Sequence, residues 1–272
     1  IRRLHDLGHE LERRFAAAES EDRFSLGLNL DSCPSIIHLA AVLHQFGRFE
    51  EALAVLDDAI ALEPKSMSAH MNRGLMLKEL GRFGESELEL TQACAMAPDD
   101  ATAQCHLASV LGSQGRDLEA AAVAARVLDG DPANVDAHWN LATLDLSAGK
   151  YATGWEHYEY RLKRQDAYVR RRNLPWWRPG REVAGPLLVL AEQGLGDEIM
   201  FASCFGDLLV QQPECLIECD ARLGSLFTRS FPGARILATR DAAGRAPPEA
   251  HGAVAEIAAG SLPLYFRRRS ED

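Results

Sequence analysis

The sequence lacks any apolar run of membrane-helix length. Its longest candidates, Leu187–Ala191 and Ala253–Ala259, fall far short of the roughly 18–20 residues that a spanning helix needs. Basic residues are in the minority, 29 against 40 acidic ones, and the formal net charge of −11 argues against a whole-molecule surface for nucleic acid. With 272 residues, 47% of them hydrophobic, the chain can form one to three globular domains.

Closely spaced cysteines are also absent. The six cysteines show neither a C-x-x-C pattern nor the ligand spacing of a zinc site; they are Cys33, Cys94, Cys105, Cys204, Cys215 and Cys219. Such scattered thiols are typical of free, mostly buried side chains in a reducing compartment, and the sequence shows no signal-peptide pattern. We therefore expect a cytoplasmic protein.

Glycine and proline make up only 21 and 12 of the 272 residues, and they recur with a period of 34 residues. The recurring positions are Gly47, Gly81, Gly115 and Gly149, and Pro64, Pro98 and Pro132. Apolar residues between them follow the spacing of amphipathic helices. Glycine ends a helix because it adopts the left-handed conformation without a Cβ clash, and proline cannot continue the hydrogen-bond ladder. Each period therefore predicts a helix–turn–helix unit.

Small residues recur at the same positions of successive repeats. These positions, here called the small columns, are where two helices must approach closely. The columns are Ala40, Gly74, Ala108 and Ala142; Ala52, Ser86, Ala120 and Gly154; and Ala59, Ala93 and Val127. The repeat length, these columns, the inter-helix glycine and the closing proline resemble the tetratricopeptide repeat (TPR) family. The resemblance implies an α-helical solenoid that binds a protein or an extended peptide.

The period places three full repeats at 33–64, 67–98 and 101–132. A divergent fourth repeat follows at 135–165, where Arg161 replaces the small residue and no proline closes the unit. Residues 1–32 are predicted to form a degenerate repeat or capping helices, because Arg13 and Leu30 stand at the glycine and proline positions. Departures of this kind are expected in a terminal unit that docks onto something else.

The sixth position of successive repeats alternates between two residue types: His38, Asn72, His106 and Asn140. An asparagine amide offers both a donor and an acceptor, which suits a peptide backbone held without regard to sequence. The O-GlcNAc transferase family uses an asparagine ladder of this kind, so the resemblance implies a peptide groove at these four residues. The alternative is that they are the polar, solvent-facing side of amphipathic helices.

The nine histidines do not form a metal motif. His38 and His106 are 68 residues apart, and so are His70 and His138, which is two repeats in each case. No H-E-x-x-H pattern is present. The histidines therefore follow the repeat rather than a coordination geometry, and we predict neither a metal nor a cofactor.

A basic, aromatic segment follows the repeats. Eight basic residues lie between Arg161 and Arg181 with one acidic residue, Asp166, and Trp176 and Trp177 stand beside prolines. Such a segment can bind single-stranded nucleic acid. We favour a linker over residues 166–183 that packs its tryptophans on the next domain and pairs its arginines with acidic neighbours. We expect no nucleic-acid partner.

The periodicity changes again in the last third of the chain. The apolar run Leu187–Ala191 predicts a parallel strand that is buried on both faces. Further strands are predicted at 216–219, 234–238 and 253–257, with helices over 198–210 and 221–231. This order predicts a doubly wound, Rossmann-like α/β domain over residues 184–272.

The turn after the first of these strands carries Gly194, Gly196 and Asp197. The run LLVLAEQGLGDEIMFA, with Ser261-Leu-Pro263 farther on, resembles the N-terminal, acceptor-side half of heptosyltransferase-like glycosyltransferases of the GT-B fold. The resemblance implies that Asp197 is the catalytic base for the hydroxyl of a saccharide or glycoprotein acceptor. Asp197 as a simple helix cap is the alternative.

Chain length limits what this domain can contain. The residues after Ala184 leave room for about three βα units, at most one of the two halves of a GT-B enzyme. We therefore expect a truncated domain without the half that binds the sugar nucleotide. The sequence predicts a TPR protein-interaction module attached to the acceptor-side part of a glycosyltransferase, with glycosyl transfer restricted to the complete protein. The alternative is a non-catalytic interaction scaffold with a vestigial α/β domain.

Overall fold

A computed structural model describes residues 32–164, 169, 171–180, 183–240 and 252–269. The chain divides into two units, residues 1–140 and 141–272, and the border falls inside a helix. The degenerate repeat or capping helices predicted for residues 1–32 lie outside the described residues, except for Ser32 at their end. The domain boundaries inferred from the sequence remain a prediction.

Paired helices make up the described part of the first unit. They are α1 (Cys33–Gln45), α2 (Phe49–Leu62), α3 (Met67–Glu79), α4 (Phe83–Met96), α5 (Ala101–Ser113), α6 (Asp117–Gly130) and the beginning of α7 (Val135–Ser147). The first helices of successive repeats begin 34 residues apart, as the period predicts. The helical solenoid inferred from the sequence is therefore confirmed.

Local signals account for the ends of these helices. Gly47, Gly81 and Gly115 adopt φ values of 68°, 72° and 75°, the left-handed conformation that ends each first helix. At the other end, Ser66 Oγ accepts the amide hydrogen of Ala69 at the start of α3. Side-chain caps of this kind satisfy backbone donors that have no partner within the helix.

The small columns lie where the two helices of a repeat touch. Ala52, Ser86 and Ala120 are fully buried. A Cβ built on Gly74 would lie 2.7 Å from Leu90 Cγ, and Ser86 Oγ donates a 2.6 Å hydrogen bond to the carbonyl of Gly74. The predicted reason for small side chains here, close approach of two helices, is confirmed.

The second unit begins with helical structure and continues into a sheet. The rest of α7 is followed by α8 (Tyr151–Tyr158) and a 3-10 helix (Glu159–Lys163). The strands are β1 (Leu187–Leu190), β2 (Cys215–Asp220), β3 (Arg235–Arg240) and β4 (Ala255–Ala258). They form a parallel sheet with the order β3-β2-β1-β4. All side chains of β1, β2 and β4 are buried, which requires cover on both faces.

The helices around this sheet differ from the sequence prediction in one respect. The single helix expected over 198–210 is two helices, α9 (Leu195–Ala202) and α10 (Phe205–Gln211). The break directs Phe201 toward Tyr158, whereas Phe205 packs edge-on against Phe227 and Phe231.

The remaining helices are short. The helix predicted over 221–231 is a 3-10 turn (Ala221–Leu223) followed by α11 (Gly224–Ser230). After β4 come a 3-10 turn (Ala259–Ser261) and α12 (Pro263–Phe266). Among the described residues, no helix combines the length and the apolar character needed to cross a bilayer.

Candidate functional site

The four residues predicted to line a peptide groove do not share one environment. His38 is exposed on α1. Asn72 is half-buried on α3, and its Nδ2 donates a 2.8 Å hydrogen bond to the Ser68 carbonyl one turn earlier. This bond leaves the amide oxygen of Asn72 as the group better placed to meet a ligand donor.

The other two residues are less accessible. His106 is half-buried on α5, and burial, reinforced by the charge of Lys78, lowers its pKa. Asn140 is only 8% exposed, and its Nδ2 donates a 2.8 Å hydrogen bond to the Cys105 carbonyl. Asn140 therefore ties α7 to α5. Its amide donor is not offered to a peptide, although the four-residue groove as a whole remains a prediction.

Charge is divided between the first and the second helices of the first three repeats, whereas α7, the first helix of the fourth repeat, carries Asp136 and Asp145. Helices α1, α3 and α5 carry one acidic residue, Glu79, and two basic residues, Arg73 and Lys78. Helices α2, α4 and α6 carry ten acidic residues and one basic residue, Arg126. Neighbouring first helices contact each other, so α1, α3 and α5 form a continuous surface, here called the first-helix face. This face is nearly free of negative charge.

Arginines at the inter-helix turns neutralise part of the acidic surface. Each turn arginine pairs with the glutamate three residues later: Arg48 with Glu51, Arg82 with Glu85 and Arg116 with Glu119. Arg73 bridges the repeats, with Nε 2.9 Å from Asp57 Oδ1 and Nη1 2.5 Å from Glu89 Oε1. These arginines are therefore committed to the chain's own carboxylates.

Histidines of the repeat have a structural role. At the fourth repeat position, a side-chain N–H donates to the carbonyl of the proline that closes the preceding repeat. The pairs are His70 Nε2 with Pro64 (3.2 Å), Gln104 Nε2 with Pro98 (2.5 Å) and His138 Nε2 with Pro132 (3.0 Å). The prediction that His70 and His138 follow the repeat is thereby confirmed. Within the described part of the chain, no three potential metal ligands are grouped closely enough to hold an ion.

The glycine turn of the second unit forms a helix cap. Gly194 precedes α9, and its amide donates to Asp197 Oδ2 over 3.1 Å. The left-handed residue of the turn is Gln193, with φ of 58°, rather than either glycine. A Cβ built on Gly196 would meet nothing within 4 Å. The geometry supports the capping role of Asp197, and its role as a base remains a prediction.

A buried ion pair lies next to this turn, and the sequence did not predict it. Arg161, in the 3-10 helix after α8, is 5% exposed and Glu192, just after β1, is 1% exposed. Two 2.8 Å hydrogen bonds join them, and the amide of Gly260 donates to the same carboxylate over 2.5 Å. Burial lowers the pKa of Arg161, but the charge and hydrogen bonds of Glu192 outweigh that effect and the net shift is upward.

Further contacts of Arg161 fill the same edge of the sheet. Its Nη2 donates to Ser261 Oγ over 3.2 Å. Gln193 Nε2 donates to the hydroxyl of Tyr158, whose pKa is raised to about 12, mainly by burial. In open α/β sheets, ligands bind outside the carboxyl ends of the strands. Here the ends of β1 and β4 are occupied by the chain's own arginine. The one sequence signal for this was Arg161 at a small-residue position.

The basic segment before the sheet is largely committed to internal pairs. Arg171 Nε donates to Glu256 Oε1 over 2.8 Å, and Arg172 Nη2 donates to Glu218 Oε1 over 2.5 Å. Trp177 is 2% exposed and its amide donates to the Glu256 carbonyl. These contacts are of the kind expected for tryptophan packing and for arginines paired with acidic neighbours, and the assignment of residues 166–183 as a linker remains a prediction. Arg170 and Arg181 lie outside the described residues.

Comparison with known proteins agrees with the repeat geometry. Residues 39–101 and 77–135 match the family model described as Tetratricopeptide repeat. Protein FlbA of Caulobacter vibrioides is 36% identical over 104 residues, which is 36% of this chain and 17% of FlbA. The chain thus spans about one sixth of that relative's length. These matches support a TPR protein-interaction module in the first unit.

Solved TPR structures match part of this chain at low sequence identity and with TM-scores below 0.5. TTC0263, a thermophilic TPR protein of Thermus thermophilus, is 19% identical, with a TM-score of 0.47 and coverage of 50% of this chain and 76% of that chain. MamA from Desulfovibrio magneticus is 20% identical, with a TM-score of 0.45 and coverage of 59% of this chain and 96% of that chain.

Proposed function

We propose that the first-helix face binds an extended segment of a partner protein. The observation that carries this proposal is the division of charge, because a nearly uncharged face beside acidic second helices is the surface that a peptide can approach without desolvating many charges. His38 and Asn72 lie on this face with polar atoms that can meet a peptide backbone. The α/β unit is proposed to act as a non-catalytic scaffold.

Replacing both His38 and Asn72 with alanine is expected to weaken peptide binding by about 5–150-fold, because each of the two lost hydrogen bonds contributes about 0.5–1.5 kcal/mol. Binders are first selected from an array of short random peptides with the intact chain, and affinities are then measured by fluorescence anisotropy. Gln92→Ala, which removes an exposed amide from α4, is the matched control and is expected to leave binding unchanged. Equal affinity of the double variant and the parent would assign these residues to a solvated helix face.

A second proposal is glycosyl transfer by the complete protein, with Asp197 as the base. The position of Asp197, in the first turn of the helix that follows β1 of a parallel sheet, supports it. Saccharide or glycoprotein acceptors belong to this second proposal alone. The occupation of the β1 and β4 ends by Arg161 favours the scaffold function over it.

Asp197→Asn separates the two roles of this side chain. Asparagine retains an acceptor oxygen for the Gly194 amide but cannot take a proton, so a catalytic base predicts a loss of about 10²–10⁴-fold in turnover. The assay follows transfer from labelled sugar nucleotides by the natural full-length protein. Turnover that survives the substitution would leave Asp197 as a helix cap.

A further inference from the structure

Helix α9 of the second unit exposes one of its sides. The exposed residues, here called the α9 stripe, are Gly196, Ile199, Met200 and, directly after the helix, Ser203. Because they are spaced by three and four positions, they lie along one side of the helix, whereas Phe201 and Ala202 are buried on the other. Ile199 and Met200 are 51% and 50% exposed. Large apolar side chains that share one stripe form a candidate contact surface, in contrast to singly scattered ones.

The residues beside Ile199 and Met200 are small. A Cβ built on Gly196 would meet nothing within 4 Å, and the same is true of Gly206 in the first turn of α10. The distance at which two helices pack depends on the side chains at their contact. A second helix can therefore approach the backbone at both ends of the α9 stripe and still enclose its two large side chains.

The two ends of the α9 stripe carry opposite charges. At the amino end, Asp197 is the one charged side chain of α9 that reaches solvent, since Glu198 is 3% exposed. At the carboxyl end, the Arg267 guanidinium donates to the Ser203 carbonyl, and its Nη1 lies 2.8 Å from Asp207 Oδ2. The Arg267 side chain remains 28% exposed. A guanidinium has five N–H donors, so it can hold a second carboxylate beside Asp207.

This order of groups is complementary to itself. If two α9 helices pack antiparallel about a two-fold axis between Ile199 and Met200, Gly196 of each copy faces Ser203 of the other. The Asp197 carboxylate of each copy then lies beside the guanidinium that the other copy holds at its Ser203 carbonyl. Antiparallel helices also align their macrodipoles favourably. A second copy of this chain therefore supplies the apolar centre, the small flanks and the opposite charges that the α9 stripe requires of a partner.

We infer that α9 is the contact helix of a two-fold dimer of this chain, with Ile199 and Met200 at the centre and an Asp197–Arg267 ion pair at each end. The inference concerns the second unit and does not depend on the proposed peptide binding. One short helix from each copy makes a small interface. Monomer and dimer should therefore be in equilibrium, with a dissociation constant on the order of 10–100 µM.

Sedimentation velocity of the intact chain, over concentrations on both sides of that range, measures the association. About 0.15 M salt is used, because two copies with a formal net charge of −11 repel each other and salt screens this repulsion beyond about 8 Å. Met200→Asp is expected to weaken dimerisation by about 100-fold or more, since two carboxylates would meet at the axis. Leu118→Asp, at an 86% exposed leucine of α6, is the matched control and should leave the association unchanged.

Charge reversal tests the ends of the interface. Asp197→Lys and Arg267→Glu, made separately, should each weaken dimerisation by about tenfold, because each places like charges together at both ends. The two changes combined restore opposite charges and should recover most of the lost association. A loss caused only by local destabilisation would not be reversed in this way. Circular dichroism checks that each variant is folded, since Asp197 also accepts the Gly194 amide hydrogen.

Cross-linking tests the position of the axis. Met200→Cys should give a disulfide-linked dimer on mild oxidation, whereas Val210→Cys, at an 85% exposed position of α10, should not. The parent protein gives the background, and its cysteines are buried apart from the partly buried Cys94. A dimer that forms equally well with Met200→Asp, or that cross-links equally through both new cysteines, would overturn the inference. So would a chain that stays monomeric throughout, which would leave the α9 stripe to a partner of another sequence.

Discussion

Replacing Arg161 with methionine is expected to lower the unfolding free energy of the second unit by about 3–5 kcal/mol. The substitution leaves Glu192, which is 1% exposed, as a buried carboxylate without its cation. Methionine keeps an unbranched apolar stem in the space of the arginine stem, so the loss is mainly electrostatic. The Gly260 amide still donates to Glu192, but one neutral donor does not replace a bidentate guanidinium.

Hydrogen exchange followed by mass spectrometry is the appropriate measurement, because a chain of two units need not unfold in one transition. Protection of β1 and β4 should fall by about 10²–10⁴-fold, whereas that of α3 and α5 should not change. Lys163→Met, an exposed cation in the same 3-10 helix, is the matched control.

A double variant tests whether the uncompensated charge is the cause. Arg161→Met with Glu192→Gln removes both charges and keeps an acceptor oxygen for the Gly260 amide. It should recover much of the lost protection, since neutralising both partners of a buried pair is far less costly than removing one. If Arg161→Met alone left β1 and β4 fully protected, this ion pair would not be what holds the helical segment at the edge of the sheet.

Arg172→Met is expected to have a similar effect, about 3–5 kcal/mol, at strand β2 of the same sheet. The Arg172 and Glu218 side chains are 4% and 2% exposed, and their 2.5 Å contact is a buried pair. The backbone amide of Arg172 donates to Glu256 Oε2 and is unaffected by the change. The loss should therefore appear first in β2, which carries Glu218.

Arg178→Met provides the control, since Arg178 is an exposed arginine of the same segment. Hydrogen exchange should separate the two variants, with deprotection of β2 in Arg172→Met alone. The alternative function of this segment is to bind single-stranded nucleic acid. It would be favoured if β2 stayed protected in Arg172→Met while Arg178→Met weakened binding to a labelled oligonucleotide.

Features with local causes were predictable from the sequence. Gly47 and Pro64 predicted where helices end, because left-handed glycine and the missing proline N–H act within one turn. The apolar run beginning at Leu187 predicted a buried parallel strand for a similar reason. The helix predicted over 198–210 was wrong in its continuity: the structure has two helices there, and Phe201 and Phe205 on either side of the break contact partners far away in the sequence.

The candidate sites were predictable only in part. Asn72 and Asn140 are equivalent by position in the repeat, yet one bonds to its own helix and the other to the Cys105 carbonyl of a different helix. Likewise, the sequence placed Asp197 near the start of a helix, but only the tertiary structure shows that its carboxylate accepts the Gly194 amide hydrogen. Side-chain roles depend on neighbours that a repeat column does not specify.

The sequence by itself determined the repeat, the turns that divide it, the strands and the scarcity of negative charge on α1, α3 and α5, because these follow from residue type and local spacing. The tertiary structure decided the partners of charged side chains. Arg161 pairs with Glu192 across 31 positions and with Ser261 across 100, and Lys78 bonds to Ser109 across 31. Such pairs form only when folding brings separated segments together, and burial then determines how strongly each charge requires its partner.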